Sequence, residues 1–371
     1  MSLPVDPEEP EGRLGDRLAE RTLELVNVPS ESRHEEAILD RLTAAVPSES
    51  FRLVDGDDAV RFLLPRERRE GAPLVVLAGH ADTVPAHGGL PGRRDGTTVT
   101  GRGAADMKGA LAVILELAGS STVGPIGDLD LGVLFFGREE LPIDESALLP
   151  LFARCAPART IDLAIVMEPT DNRLEVGCLG NLNATVSVRG RAAHSARPWL
   201  GENAIHAALG VLAPIAARQP RDVRIEGLTY REVVSVTRID GGIAANVVPD
   251  AVTASVNLRY APNRTPADAE AELRTLLGPG ADLEIVGNAP PGPVTTGNPL
   301  VGRLRDAGGL DVAPKQAWTP VAEFAMAGVD AVNFGPGDPG YAHRDDERIE
   351  AGALVRSMEV LRAFLAGGKD G

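Results

Sequence analysis

Apolar residues recur at helical spacing in two early segments. Leu14 and Leu18 share a face over residues 12–27, Ile38 and Leu42 share one over 33–46, and Pro29 separates the two. Positions four apart lie on one side of a helix, so two amphipathic helices are predicted. Shorter and nearly continuous apolar runs follow: "AVRFLLP", "PLVVLAG", "LDLGVLFFG" and "DLAIVME". Runs of that length without polar alternation read as strands buried on both faces. A helical stretch, "DMKGALAVILELAG", lies between the second and third, and "ESALLPLFARC" lies between the third and fourth. Alternating buried strands and helices predict an α/β domain with a largely parallel sheet. Such sheets bind ligands at the carboxyl ends of their strands.

From about residue 180 the texture changes. "NLNATVSVRG" alternates like a half-exposed strand, "GENAIHAALGVLAPIAAR" is helical, and "EVVSVTRID" and "AVTASVNLRY" are strands. "PADAEAELRTLL" is a second helix and "DLEIVG" a last strand. The order β-α-β-β-α-β predicts a ferredoxin-like unit. It ends at the Pro/Gly-rich "NAPPGPVTTGNP". Helix and strand patterns then resume, closing with "IEAGALVRSMEVLRAFLAG". The expected organisation is a catalytic domain in two parts, 1–179 and 291–371, interrupted by an inserted α+β lid over 180–290. No internal repeat or low-complexity tract is visible.

Composition narrows the classes of partner. The 371 residues carry a formal net charge of -16, with 43% apolar and 24% charged residues. That is ordinary for a globular protein, and it disfavours nucleic acid or an anionic membrane as partner, since either needs a basic surface. Among the basic residues only Lys108, Lys315 and Lys369 are lysines, which we read as codon bias. Two cysteines, Cys155 and Cys178, suggest no disulfide framework. The acidic start, "MSLPVDPEEPEGRLGD", lacks the apolar segment of a signal peptide. No apolar run approaches the roughly 18 residues of a membrane span. A cytoplasmic location is expected.

The chemistry-bearing residues cluster after the predicted strands. In "VVLAGHADTVP" a buried strand finishes on His80 and Asp82. The pair suits a metal-ligating histidine backed by a carboxylate, or a capped strand end with a satisfied histidine. In "TGRGAADMKGALAVIL", Gly101 and Gly103 resemble a phosphate loop, but Asp106 stands where the dinucleotide pattern needs glycine. The Walker pattern also fails, because Gly109 follows Lys108. Asp106 alone reads as a helix N-cap; after two glycines it also suits a metal bridge. "GVLFFGREELP" places Glu139 and Glu140 after a buried strand, and "LAIVMEPT" ends another strand on Glu168. Alone, the paired glutamates read as solvated charges; Glu168 reads equally as a strand ending in solvent or as a charge with a partner. His343 lies in the glycine-rich loop "NFGPGDPGYAHRDDE", and His194 lies in "RGRAAHSARP"; each alone is unremarkable. His34 and His206 sit in amphipathic helices, and His87 in a loop has no assigned part. Together, His80, Asp106, Glu140, Glu168 and His343 supply two nitrogen and three carboxylate ligands. That set matches a two-metal site of Zn, Co or Mn, which activates a water and polarises a carbonyl.

In order, "GHADTVP", "GRGAADMKG", the Glu-Glu pair, "MEPT", "AAHSARPW", "NVVPD" and "YAHRDDE" resemble the dinuclear zinc deacylase and exopeptidase family, over residues 12 to 366. "GCLGNL", "RAAHSARPWLGENAIH", "GLTYREVVSVTRIDGG" and "AVNFGPGDP" are most similar to its desuccinylase branch. The resemblance implies a zinc-exopeptidase-like three-layer catalytic domain with a ferredoxin-like lid through which a homodimer forms. It implies two divalent metal ions and hydrolysis of an N-acyl amino acid, N-succinyl-LL-2,6-diaminopimelate in that branch. N-acetylornithine deacetylase, aminoacylase and dipeptidase are the alternatives on the same scaffold. By resemblance Asp106 bridges the metals, His80 and Glu168 complete one site, and Glu140 and His343 the other. Asp82 orients His80, Glu139 is the general base, and His194 stabilises the oxyanion, in the partner subunit's active site. Asn246, Arg259, Thr319 and the turn at Gly335 hold or line the substrate. Two departures bear on the substrate: Cys178 and Leu179 replace an Arg pair common in desuccinylases, and Glu323 replaces an Arg, reversing a charge.

Overall fold

The computed structural model describes residues 11–86, 88–120 and 127–367. His87 and most of the acidic start of the chain lie outside the described residues. The chain divides into two compact units. One comprises the chain to Val176, Thr295–Ala313 and Thr319 onward; the other comprises Gly177–Val294 and Pro314–Trp318.

The first unit is built on a sheet of eight strands among the described residues. Four central strands run parallel, in the spatial order Asp130–Phe136, Leu74–His80, Leu163–Val166, Ala331–Asn333. All residues of these four strands are buried. Successive side chains point to opposite faces of a sheet, so complete burial means that both faces are covered. The helices Glu11–Val26, Gly109–Ser120, Pro299–Gly308 and Ala351–Ala366 pack against one another as one layer. Glu36–Ala45 packs on the strands Val60–Pro65 and Asp130–Phe136, and Val321–Met326 packs on Leu163–Val166 and Ala331–Asn333. The apolar runs of the sequence fall on these strands. The early helices are Glu11–Val26 and Glu36–Ala45, each burying its predicted face. His34, expected inside the second helix, lies ahead of it because the helix begins only at Glu36.

The second unit is a five-stranded antiparallel sheet in the order Arg221–Ile225, Leu228–Gly241, Ala251–Tyr260, Gly180–Arg189, Asp282–Ala289. Helices Ala204–Ala217 and Pro266–Leu277 cover one face, with Leu182, Val186, Leu212, Ile215, Val256 and Leu273 in the core between. This is the ferredoxin-like order with one added edge strand. Arg221–Ile225, "RDVRI", has only Val223 and Ile225 as an apolar alternation, and the hairpin turn at Glu226–Gly227 brings it onto the sheet. Its Arg221 pairs with the buried Glu232 opposite it. The short stretch Pro314–Trp318 also joins this unit, which nothing in its pattern signals. Both helices are capped as their sequences dictate. Asn203 accepts from the N–H groups of Ile205 and His206, and Thr265 and Asp268 form a reciprocal capping box with Pro266 at the first turn. Thr265→Ala is expected to destabilise the helix Pro266–Leu277 by about 1 kcal/mol; faster amide exchange confined to that helix is the measurement.

Candidate metal centre

His80 is the last residue of a central strand and is buried. Its Nδ1 lies 3.1 Å from the carbonyl oxygen of Asp82 and 3.5 Å from that residue's carboxylate. Its Nε2 lies 2.9 Å from Asp106 Oδ1 and 3.9 Å from Glu168 Oε1. The Asp82 carboxylate is buried and accepts three hydrogen bonds. Ser32 Oγ donates at 2.8 Å, and the N–H groups of Glu139 and Glu140 each donate at 3.2 Å. Hydrogen bonds to a charged group are worth about 1.5–3 kcal/mol each. Three of them offset a burial penalty of several kcal/mol. Asp82 therefore joins the end of one parallel strand to the loop that leaves its neighbour.

Asp106 ends a tight turn that begins at Gly101. Gly103 has φ 81, and a Cβ there would meet Thr83 at 2.8 Å, so the turn admits only glycine. At Asp106 the backbone leaves helical values (φ -122, ψ 90), ahead of the helix Gly109–Ser120. The Asp106 carboxylate oxygens face histidine nitrogens, not the N–H groups of that helix. The carboxylate lies between both histidines, with Oδ2 3.4 Å from His343 Nε2. Glu140 Oε1 is 2.9 Å from the same His343 nitrogen. Arg138 (φ 61) and His343 (φ 64) hold left-handed backbone conformations. Such strain in non-glycine residues concentrates at functional sites.

The donor atoms form three clusters, each within 4.8 Å: His80, Asp106 and Glu168; His80, Glu139 and Glu140; Asp106, Glu140 and His343. The first and third share only Asp106. The charges fit a cation. Burial works to lower the His80 pKa, but the Asp106 and Asp82 carboxylates hold it well above its usual value. Hydrogen bonds to Asp106 and Glu140 push His343 up to about 10. Burial, the Glu168 charge and the Glu140 and Asp106 charges raise Glu139 well above the usual carboxyl range, against the pull of His80. Four carboxylates and two imidazoles at these distances are a surplus of negative charge that a divalent metal would neutralise, and mixed N/O donors suit Zn, Co or Mn.

Three residues that hold this arrangement carry no sequence signal. Ser32 supports Asp82. Glu35, buried, accepts from the N–H groups of Arg33 and Arg138 at 2.7 and 3.1 Å, and lies under Gly137, where a Cβ would come within 2.7 Å of it. Glu347, also buried, accepts from the N–H groups of Ala105 and Asp106. Their partners are 50 or more residues distant in sequence except for Arg33, so only the fold reveals them.

The other predicted residues fall as follows. His194 and Asn246 meet on a two-stranded ribbon of the second unit, Ala193–His194 against Val247–Val248. His194 is exposed and its Nδ1 accepts from the Ala196 N–H at 3.0 Å; the Asn246 carbonyl accepts from Ser195 at 2.9 Å. Arg259 is half-buried in the strand Ala251–Tyr260, its Nε donating to Asn257 at 3.0 Å. Thr319 is buried in the first unit. Gly335 follows the strand Ala331–Asn333; a Cβ there would stand 2.3 Å from the Met167 carbonyl, so glycine lets this turn lie against the Glu168 segment. Glu323 corrects one expectation. It is 3% exposed, it accepts a hydrogen bond from the Ser146 hydroxyl, and burial pushes its carboxyl up to about 7. It packs inside the first unit rather than presenting a reversed charge to a ligand. Cys178 and Leu179 are both buried in the second unit.

The M20 peptidase dimerisation domain matches residues 176–282. A putative succinyl-diaminopimelate desuccinylase of Mycobacterium tuberculosis is 40% identical, covering 94% of this chain and 98% of its own. The succinyl-diaminopimelate desuccinylase of Corynebacterium glutamicum is 35% identical, covering 95% and 97%. The chain belongs to the M20 succinyl-diaminopimelate desuccinylase family. The fold extends to solved structures: a dinuclear metal-binding M20 peptidase of Bacillus subtilis superposes with TM-score 0.70 at 14% identity, covering 95% and 98%. This desuccinylase-family chain is a metal-dependent amide hydrolase, with a divalent-metal site and an inserted dimerisation domain. Among the described residues no helix is long and apolar enough to cross a membrane. His343→Ala removes a donor from one of the two clusters that share Asp106, and should leave about one bound metal per chain. Asp106→Ala removes a donor from both and should weaken both binding steps. Metal content and calorimetric titration of the two variants check this.

Proposed function

We propose that the chain hydrolyses N-succinyl-LL-2,6-diaminopimelate to succinate and LL-2,6-diaminopimelate, with two Zn ions bound. The observation that carries this reading is identity of 40% and 35%, over nearly the whole chain, to proteins named as that desuccinylase. The ligand geometry supports the two-metal part: Asp106 would be shared, His80 and Glu168 would complete one site, and Glu140 and His343 the other. Bound metals would lower the pKa of a water and polarise the acyl carbonyl.

The chain's own residues would do the rest. Glu139 would take a proton from the attacking water and pass it to the departing amine nitrogen. Its place among the donor groups would put it within reach of that water. Asp82 would fix the His80 ring and the two backbone N–H groups of the Glu139–Glu140 loop together. His194, exposed on its ribbon, would donate to the oxyanion of a partner subunit, and Asn246 and Arg259 would hold substrate carboxylates. Thr319 and Gly335 would line the same pocket. The dimer this requires would form through residues 180–290, with the catalytic parts at 1–179 and 291–371, in the cytoplasm.

Glu139→Gln is expected to keep metal content and lose activity by about 10²–10⁴-fold. A loss smaller than tenfold, measured as succinate release, counts against Glu139 as the base. Succinate release by zinc-loaded protein, beside N-acetylornithine, other N-acyl amino acids and dipeptides, tests the substrate. Chelator-sensitive turnover of the succinyl compound is expected; turnover of another substrate alone moves the assignment to one of the alternative activities. Mixing Glu139→Gln with His194→Ala subunits should restore activity above either variant alone, and no recovery would count against a histidine acting across the dimer.

A further inference from the structure

Glu347 has no part in the chemistry above, yet it is 1% exposed and both its oxygens are engaged. Oε1 accepts from the N–H groups of Ala105 at 3.2 Å and Asp106 at 3.1 Å. Oε2 accepts from Arg102 Nη1 at 2.9 Å. The same guanidinium nitrogen donates to the Arg344 carbonyl at 3.2 Å, and the Gly101 N–H donates to the Glu347 carbonyl at 2.9 Å. Immediately afterwards Arg348–Glu350 pairs with Thr98–Thr100. These bonds join two segments that are distant in sequence: the turn that ends in Asp106 and the loop that carries His343.

A buried Arg–Glu pair alone is weak evidence of anything but local structure. The two bonds to backbone N–H groups say more. They fall where the chain departs from helical dihedrals at Asp106, and they set the direction in which the Asp106 side chain leaves the backbone. We propose that Glu347, braced by Arg102, is a positioning residue that holds Asp106 and His343 in register for the metal they share. This inference rests on the two-metal reading above. Its consequence is asymmetric. His80 and Glu168 lie at or just after strand ends, outside the clamped loop, whereas His343 lies within it. Losing the clamp should therefore weaken the Asp106–Glu140–His343 site more than the His80–Asp106–Glu168 site.

The experiment is a Co(II) titration of metal-free full-length protein, followed by calorimetry and by the visible absorption of the bound ion. Thermal denaturation of the metal-free forms and kcat and KM for the succinyl substrate accompany it. The variants are Glu347→Ala, Glu347→Gln and the double variant Arg102→Gln/Glu347→Gln. The wild type should show two binding steps. In Glu347→Ala one step should weaken by about 10–100-fold, the usual cost of losing a partner that orients metal ligands, with the other step weakened less. The Co(II) spectrum of the weakened site should change, and kcat should fall more than KM rises. Glu347→Gln leaves Arg102 buried without its charge partner; the double variant removes that charge, keeps an amide oxygen for the Asp106 N–H, and should recover part of the lost affinity. Two wild-type-like steps in Glu347→Ala would overturn the proposal. So would equal weakening of both steps together with a lower melting temperature of the metal-free protein, which marks a general structural loss. A wild type that takes up fewer than two Co(II) ions would sink the two-metal reading itself, and the proposal with it.

Discussion

The carboxylate of Asp106 lies between two imidazoles, 2.9 Å from one and 3.4 Å from the other. Like charges from Glu140, Glu168 and Glu139 crowd the same small volume. Left to themselves, flexible carboxylates would separate or take up protons. The remainder of the first unit can be understood as what prevents this. Parallel strands fully buried on both faces fix the origins of His80, Glu168 and the Glu139–Glu140 loop. The Asp82 carboxylate then locks two of those origins together by accepting from the main-chain N–H groups of Glu139 and Glu140. The frame holds charges close enough for a divalent cation to relieve them, and that cation becomes the natural occupant.

Much of the frame was legible in the sequence because the same physics wrote both. A run such as "PLVVLAG" has one use in water: a strand with apolar neighbours on both faces. Its end is marked where the polar His80 and Asp82 begin, and Glu139 and Glu168 are marked in the same way. What joins these ends was not legible. Glu347, Glu35 and Ser32 act through backbone N–H groups or through Asp82, on partners set by tertiary packing. A glutamate in "RDDE" looks like any solvated charge until the strand pairing of Arg348–Glu350 buries it. The strand Arg221–Ile225 escaped for a related reason: only Val223 and Ile225 give it an apolar face, and charged residues fill its other three positions, with ion pairs Arg221–Glu232 and Arg231–Asp222 across the hairpin.

The site residues divide by how much precision their place demands. Those of the metal centre sit at or just beyond strand ends, or in turns where only glycine fits, as at Gly103 and Gly335. His343 and Arg138 accept left-handed backbone conformations there, a cost that a rigid surrounding can sustain. His194 and Asn246 are different: they sit on a two-residue ribbon, exposed, with few side-chain restraints. The metal centre is braced by buried hydrogen bonds, and the ribbon is not.

Glu323 shows why a substitution must be placed before it is interpreted. Read along the chain, a glutamate where relatives have arginine reverses a charge and argues for a different substrate. In the fold its carboxyl is buried, bonded to Ser146, and raised to about 7. Ser146 in turn accepts from the N–H groups of Leu148 and Leu149 at the start of the helix Leu148–Arg154. The hydroxyl donates in one direction and accepts in the other, so Glu323 completes a cap on a helix a few residues beyond Glu139 and Glu140. A buried carboxyl that is readily protonated can stay there at small electrostatic cost, where an unpaired arginine could not. The exchange thus changes what packs beside the helix that follows Glu139 and Glu140, not a charge presented to a ligand.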